Sequence, residues 1–215
     1  SRAVVAGALG CASEQLFFTS CGTEGDNWAI RAALYQNRRV GRHIVTTAVE
    51  HSAVLQCVKR LEQEGCSATY LKPDNAGRIT AEQVADALRE DTALVSIMLV
   101  NNETGVRFPV EEVTALLQDR PTLLHTDAVQ GFLKVPFTVK TLGADYITLS
   151  AHKIGGPKGI GGQYAGGKAK NILPVLYGGG QESGLRPGTE ATAQMAGFAK
   201  AVELRIGNRE EVARR

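Results

Sequence analysis

The sequence predicts an α/β protein: a three-layer sandwich built on a mainly parallel central sheet. Two observations carry that expectation. Short apolar runs of strand character alternate with segments of helical periodicity along most of the chain. Five of those runs are followed at once by polar or ionisable residues, as happens where an open parallel sheet gathers its loops over the carboxyl ends of its strands.

Taken in order, the opening SRAVVAGALG has the small apolar residues of the end of a helix. The first strand candidate is QLFFTS (15–20), followed by Cys21, Gly22, Thr23 and a helix over 24–34. HIVTTA (43–48) leads to Glu50 and His51, and the helix over 52–63 sets Val54, Cys57, Val58 and Leu61 on one face. After the strand ATYL (68–71), Thr80 and Gln83 form a capping box ahead of Val84, Ala85 and Leu88. ALVSIMLV (93–100) ends at Asn101, Asn102 and Glu103. Pro109 opens the next helix, with Val113, Leu116 and Leu117 expected to face inward. TLLHT (122–126) leads to Asp127 and Gln130, and YITLS (146–150) to His152 and Lys153. Five glycines in positions 155–162 then suggest a tight backbone path that presents Lys153. Positions 197–205 read as part of an amphipathic helix that runs almost to the terminus.

A chain of 215 residues holds one large domain, or one domain with a short appendage. Hydrophobic residues at 43% and charged residues at 21% are ordinary for a globular protein. The net charge of +2 comes from well-mixed signs, which argues against a nucleic-acid surface; the clusters Arg38, Arg39, Arg42 and Arg214, Arg215 read as solvated faces. No apolar run reaches the roughly 18 residues of a membrane span. Four cysteines without paired spacing fit reduced thiols and a cytoplasmic location.

Each polar strand end has an ordinary reading of its own. His51 can cap its helix, Asn101 and Asn102 can make a turn, and Asp127 can cap the segment after it. Thr23 and the amides at the start of its helix are equally a cap or an anion site. Together they make an inventory: an anion nest (Gly22, Thr23), a carboxylate (Asp127), a presented lysine (Lys153), and amides at Asn102 and Gln130. Zinc held by His51, His125, Asp127 and His152 is an alternative, but no compact metal motif appears and no metal is expected. GGPKGIGG lacks the GxxxxGK[ST] spacing of a nucleotide loop. Pyridoxal 5'-phosphate suits the inventory better, because it needs a lysine for its aldehyde, a carboxylate for its ring nitrogen and donors for its phosphate.

The segments FTSCGTEGDN (18–27), TAVEHSAV (47–54), VSIMLVNNETG (95–105), HTDAVQ (125–130), SAHKIGGPKGIGG (150–162) and GGGQESGLRPGTE (178–190) resemble the ordered motif series of cysteine desulfurases. These are class V aminotransferase relatives with the fold type I architecture of pyridoxal-phosphate enzymes. The resemblance implies that Lys153 forms the Schiff base, that Asp127 faces the pyridine nitrogen and that the ring of His51 stacks on the cofactor. It further implies that Asn102 and Gln130 lie near the ring oxygen, and that Gly22, Thr23, Ser150 and His152 contact the phosphate. Thr189 matches a threonine that reaches the phosphate of the neighbouring subunit, which implies a homodimer. The activity so implied converts L-cysteine to L-alanine and passes sulfur, through an enzyme persulfide, to an acceptor protein in iron–sulfur cluster assembly or another thiolation route.

Members of that family are nearly twice this length. Positions 1–190 match their cofactor-binding domain, short of its N-terminal segment, and 191–215 match a helix leading toward a C-terminal small domain. The nucleophilic cysteine belongs to that small domain, and none of the four cysteines here occupies its place. Cys57 reads as core, and Cys21 as a small residue tolerated in the phosphate loop. The alternatives are a selenocysteine lyase or another class V enzyme, and a non-catalytic remnant or interaction module.

Overall fold

The computed structural model describes residues 1–174 and 176–207. Helix α1 (Arg2–Leu9) precedes β1 (Leu16–Thr19), α2 (Gly22–Gln36), β2 (His43–Thr47), α3 (Ser52–Gln63) and β3 (Ser67–Leu71). There follow α4 (Ala81–Ala87), β4 (Thr92–Ser96), α5 (Val110–Leu116), β5 (Leu123–Asp127), α6 (Val139–Leu142), β6 (Tyr146–Ser150), β7 (Gly161–Ala165) and α7 (Thr192–Gly207). The strands form one sheet in the order β1-β7-β6-β5-β4-β2-β3. Strand β7 runs antiparallel to both neighbours, and every other pairing is parallel.

Successive strand residues point to opposite faces, and here both faces are buried. Phe17, Ile44, Leu94 and Leu123 pack against α2 and α3, with Trp28, Ile30, Val54 and Val58. Their neighbours Phe18, Val45, Val95 and Leu124 pack on the opposite side with Val5, Val84, Val113 and Phe198, from α1, α4, α5 and α7. Two cores with a sheet between them are the three layers expected. The apolar runs are continuous rather than alternating for the same reason.

Four details differ from the sequence expectation or extend it. Strand β7 was read as the end of a glycine-rich loop. A Cβ on Gly161 would lie 2.7 Å from the Leu149 carbonyl oxygen and 2.8 Å from Thr19 Oγ1, so glycine is there to let the chain approach its neighbours. Strand β4 stops at Ser96, not at 100, although the amides of Ile97 and Leu99 still donate to the carbonyls of His125 and Asp127 at 3.1 and 2.9 Å. Leu116 is 38% exposed rather than inward; the buried stripe of α5 is Val110 and Val113, continued by Leu117, and Leu116 falls beside it. The helix expected over 197–205 is α7, and the expectation beyond 207 lies outside the described residues. No described helix is long and apolar enough to cross a membrane.

Candidate active site

The carboxyl ends of β2, β4, β5 and β6 and the amino end of α2 surround a cavity of about 340 Å³. Lys153 lies in a one-turn 3-10 segment, Ala151–Ile154, directly after β6. Gly155 closes that turn with φ 86°, a left-handed conformation that glycine adopts without strain. The chain therefore reverses immediately behind the lysine and leaves its exposed side chain in the cavity wall.

The same cavity is lined by Asp127, the last residue of β5 and 8% exposed. Its Oδ1 accepts from the Val129 N–H at 2.8 Å, which fixes the carboxyl plane. Burial first, and then the nearby Asp26 carboxylate, push it up to about 7 against the opposing pull of the Val129 amide, His125 and His51. His51 caps α3: its Nδ1 accepts from the Ala53 N–H at 3.1 Å. That bond assigns the ring proton to Nε2. The same residue also lines the cavity, so it is both a helix cap and part of the site.

The anion nest is built by α2. Its N-cap, Cys21, contributes no side-chain hydrogen bond, so the first amides of a 15-residue helix keep their unmet donors beside Gly22 and Thr23. A Cβ at Gly22 would come within 3.0 Å of Val129 Cγ2, and the missing side chain keeps the helix end open to the cavity. Beside the nest, where a Cβ on Gly22 would lie 3.9 Å from Ser150 Cβ, Ser150 Oγ and His152 Nδ1 lie 2.8 Å apart in a hydrogen bond. Burial and the neighbouring lysines 153, 158 and 134 lower the His152 pKa. Asn102 lines the cavity with its amide nitrogen donating to Glu103, and Gln130 lines it with Oε1 accepting from Lys134 Nζ at 2.8 Å.

Of the expected site residues, Gly22, Thr23, His51, Asn102, Asp127, Gln130, Ser150, His152 and Lys153 all line this one cavity. Thr189 does not; it is exposed in the loop before α7. Two ion pairs hold that loop. Glu182 takes a bidentate pair of bonds from Arg2 at 2.6 and 2.7 Å and the Phe18 N–H at 2.9 Å, and Arg186 grips Glu24 at 2.8 and 3.0 Å.

The zinc alternative does not assemble. His125 is fully buried, with Nδ1 2.9 Å from Ser96 Oγ and Nε2 3.0 Å from Thr148 Oγ1, and burial lowers its pKa to about 4. The groups that do converge are Asp26, His51 and Asp127, each with one donor atom within 4.8 Å of the others. Asp26 joins this site from inside α2, and its sequence signal is present. It occupies the buried stripe of α2 with Ala29, Ile30 and Ala33, and a carboxylate at that spacing on an apolar stripe demands a reason.

Amine, carboxylate, imidazole ring and free helix amides together match pyridoxal 5'-phosphate in chemistry, and no side chain blocks the helix end. Known proteins bear on the same point. A cysteine desulfurase IscS of Clostridium botulinum (strain Hall) is 42% identical over 211 residues, covering 98% of this chain and 53% of that protein. Among solved structures, a NifS-like protein superposes with a TM-score of 0.93 at 42% identity, covering 98% of this chain and 58% of that one. SspA, solved in complex with cysteine, gives 0.89 at 37% identity, covering 94% and 58%. The chain spans about half the length of the curated relatives it matches. The aminotransferase class-V model matches residues 1–214, and with nearly every residue inside that match the chain belongs to the aminotransferase class-V family.

Proposed function

We propose that the whole protein is a pyridoxal 5'-phosphate-dependent cysteine desulfurase and that this chain supplies its cofactor-binding domain, residues 1–190. Helix α7 (Thr192–Gly207) then leads toward a small domain. The observation that carries the proposal is the convergence of Lys153, Asp127, His51 and the uncapped end of α2 on one cavity. The desulfurase relatives and a structural neighbour solved with cysteine support L-cysteine as the substrate.

When bound, the cofactor supplies an electrophilic aldehyde and a ring that accepts the electron pair released at the substrate's α-carbon. The protein does the rest. Lys153 would provide the amine that holds the aldehyde, and its amine would serve as the base for the α-carbon proton. Asp127, anchored by the Val129 amide, keeps a proton on the ring nitrogen. His51 would lie against the ring and, with Nδ1 committed to the Ala53 N–H, would keep its Nε2–H available for transfer. The amides of α2 with Thr23, Ser150 and His152 would hold the phosphate, while Asn102 and Gln130 would orient the ring oxygen. In a homodimer Thr189 extends to the partner's phosphate, on a loop held by Arg2–Glu182 and Glu24–Arg186.

The sulfur nucleophile is a cysteine outside these residues. Burial pushes the thiols of Cys11 and Cys57 up to about 11, which keeps them protonated and poor as nucleophiles. Cys21 lies on the phosphate side of the cavity with Gly22 and Thr23. The persulfide passes its sulfur to an acceptor protein, as iron–sulfur cluster assembly requires, and the free thiols fit a cytoplasmic setting.

The test is an absorbance spectrum of the full protein mixed with pyridoxal phosphate and desalted, in wild type and Lys153→Ala, followed by assay of alanine formed from cysteine. We expect a retained visible band and alanine in the wild type, and neither in the variant. A folded wild type that keeps no band would overturn the cofactor assignment; a band without alanine would overturn the substrate.

A further inference from the structure

Asp26 takes no part in the chemistry above, yet it is the more buried acid of the cavity wall, 1% exposed against 8% for Asp127. Its Oδ1 is sealed from water and has no hydrogen-bond partner among the described residues; the Thr148 hydroxyl, already bonded to Gln163, lies near enough to pull the carboxyl's pKa down, but by less than burial raises it. His125 Nε2 is 3.5 Å from Asp26 Oδ1, but the same nitrogen is bonded to Thr148 and the buried ring is neutral, so it brings no charge. One carboxyl oxygen of Asp26 lies within 4.8 Å of one of Asp127. Two carboxylates this close in a buried wall cannot both carry full charge unless a proton or a cation stands with them.

The groups facing the pair are His125 from β5, His51 at the start of α3, Glu50 from the turn before it and Cys57 from α3. The two histidines pull the Asp127 pKa down, but by less than burial and Asp26 raise it. Lys153 stands elsewhere on the cavity wall, with no hydrogen bond to either acid among the described residues.

We propose that Asp26 and Asp127 work as one dyad: without cofactor the pair retains a proton, and with cofactor their combined charge holds a proton on the ring nitrogen more firmly than Asp127 alone. Asp26 is thus a positioning residue that acts through Asp127. The second half rests on the cavity being a pyridoxal-phosphate site; the first half does not. On loading, an O–H bond of the dyad breaks as the ring N–H forms, and nothing is oxidised or reduced. Burial pushes both carboxyls up to about 7, and Asp26 is the second cause of the rise at Asp127.

The experiment is a carbon-13 titration of the aspartate carboxyl groups in the full, cofactor-free protein, in wild type, Asp26→Asn and Asp127→Asn. In the wild type both carboxyl carbons should follow the same two midpoints, as a proton-sharing pair must. In Asp26→Asn the Asp127 midpoint should fall by about one pH unit, the usual effect of removing a like charge at this range. Asp127→Asn gives the reciprocal reading at Asp26 should the first variant fail to fold. Independent one-step titrations in the wild type, or an unmoved Asp127 midpoint in folded Asp26→Asn, would overturn the dyad. With ring-nitrogen-15 pyridoxal phosphate bound, Asp26→Asn should move the ring nitrogen toward its unprotonated shift. An unchanged shift overturns the tuning role while leaving the shared proton to the first titration. A wild type that binds no pyridoxal phosphate removes the functional reading and the tuning role together, and the carboxyl titration still decides the shared proton.

Discussion

His51 is committed twice. Its Nδ1 satisfies the Ala53 amide at the start of α3, and its ring lines the cavity. The two duties separate by substitution. Asparagine can cap a helix as well as any residue, whereas alanine cannot, and losing a cap costs about 0.5–2 kcal/mol. We expect His51→Asn to keep the wild-type midpoint in urea and His51→Ala to lose stability in that range. Both should bind pyridoxal phosphate more weakly, by about two- to thirteenfold, which is what an aromatic contact of about 0.5–1.5 kcal/mol is worth. Equal affinity in all three proteins would remove the ring from the site. At this scale the sequence was legible wherever a polar residue followed directly on a strand, because the sheet itself carries such residues to one edge. Asp26 was not, since it reaches the same cavity from inside a helix, one turn past the nest, where only its conflict with an apolar stripe marks it.

The elements were legible in proportion to their side chains. Strands β2, β4, β5 and β6 are rich in Ile, Val, Leu and Thr, and such runs announce themselves. The sequence GGQYA of β7 does not, because what fits it to the sheet is the lack of side chain at Gly161 beside Leu149 and Thr19. The overshoot of β4 has a similar origin: Ile97, Met98 and Leu99 are as buried as the strand before them, and apolarity alone does not locate the end of a ladder. Strand β7 also braces β6, which carries Ser150 and leads into Lys153. Gly161→Ala forces a methyl group against a backbone oxygen that has little freedom to retreat. The expected cost is about 1–3 kcal/mol, typical of overpacking, read as a lower urea midpoint with an unchanged slope. A wild-type midpoint in this variant would mean that β1, β6 and β7 can spread at no cost, and the reason for the glycine would lie elsewhere.

For the molecule as a whole, the alternation of strand and helix was enough to give the layers, and the residues at strand ends were enough to give the cavity. The loop carrying Thr189 has a role only by resemblance, because no local pattern says what an exposed loop faces. The buried charges of the cavity wall have a consequence for the whole protein that no single residue displays. Burial pushes the carboxyls of Asp26 and Asp127 up to about 7 and that of Glu50 up to about 8. Each then binds its proton more tightly folded than unfolded, so stability is greatest below the unfolded carboxyl pKa and is lost as pH rises through the folded values. His125 works the other way: lowered to about 4 by burial, it contributes stability that is complete above its unfolded pKa of 6.5 and is lost as pH falls through 4. The two effects oppose each other between about 4 and 6.5, but above that window only the carboxyls still titrate. The cofactor-free full protein should therefore lose thermal stability steadily from pH 6.5 to 8.5, with each kcal/mol lost lowering Tm by about 2–4 °C in a domain of this size. Glu50→Gln should flatten the upper half of that decline. The glutamine keeps an acceptor for the Met98 amide and the Thr47 hydroxyl that Glu50 Oε1 now satisfies, and has no proton to lose near pH 8. Pyridoxal phosphate should make the slope shallower, since a protonated ring nitrogen gives Asp127 the positive partner it lacks. A Tm that holds level or rises across this range in the cofactor-free protein would mean that these acids are ionised when folded, and that the cavity wall tolerates their charge unaided.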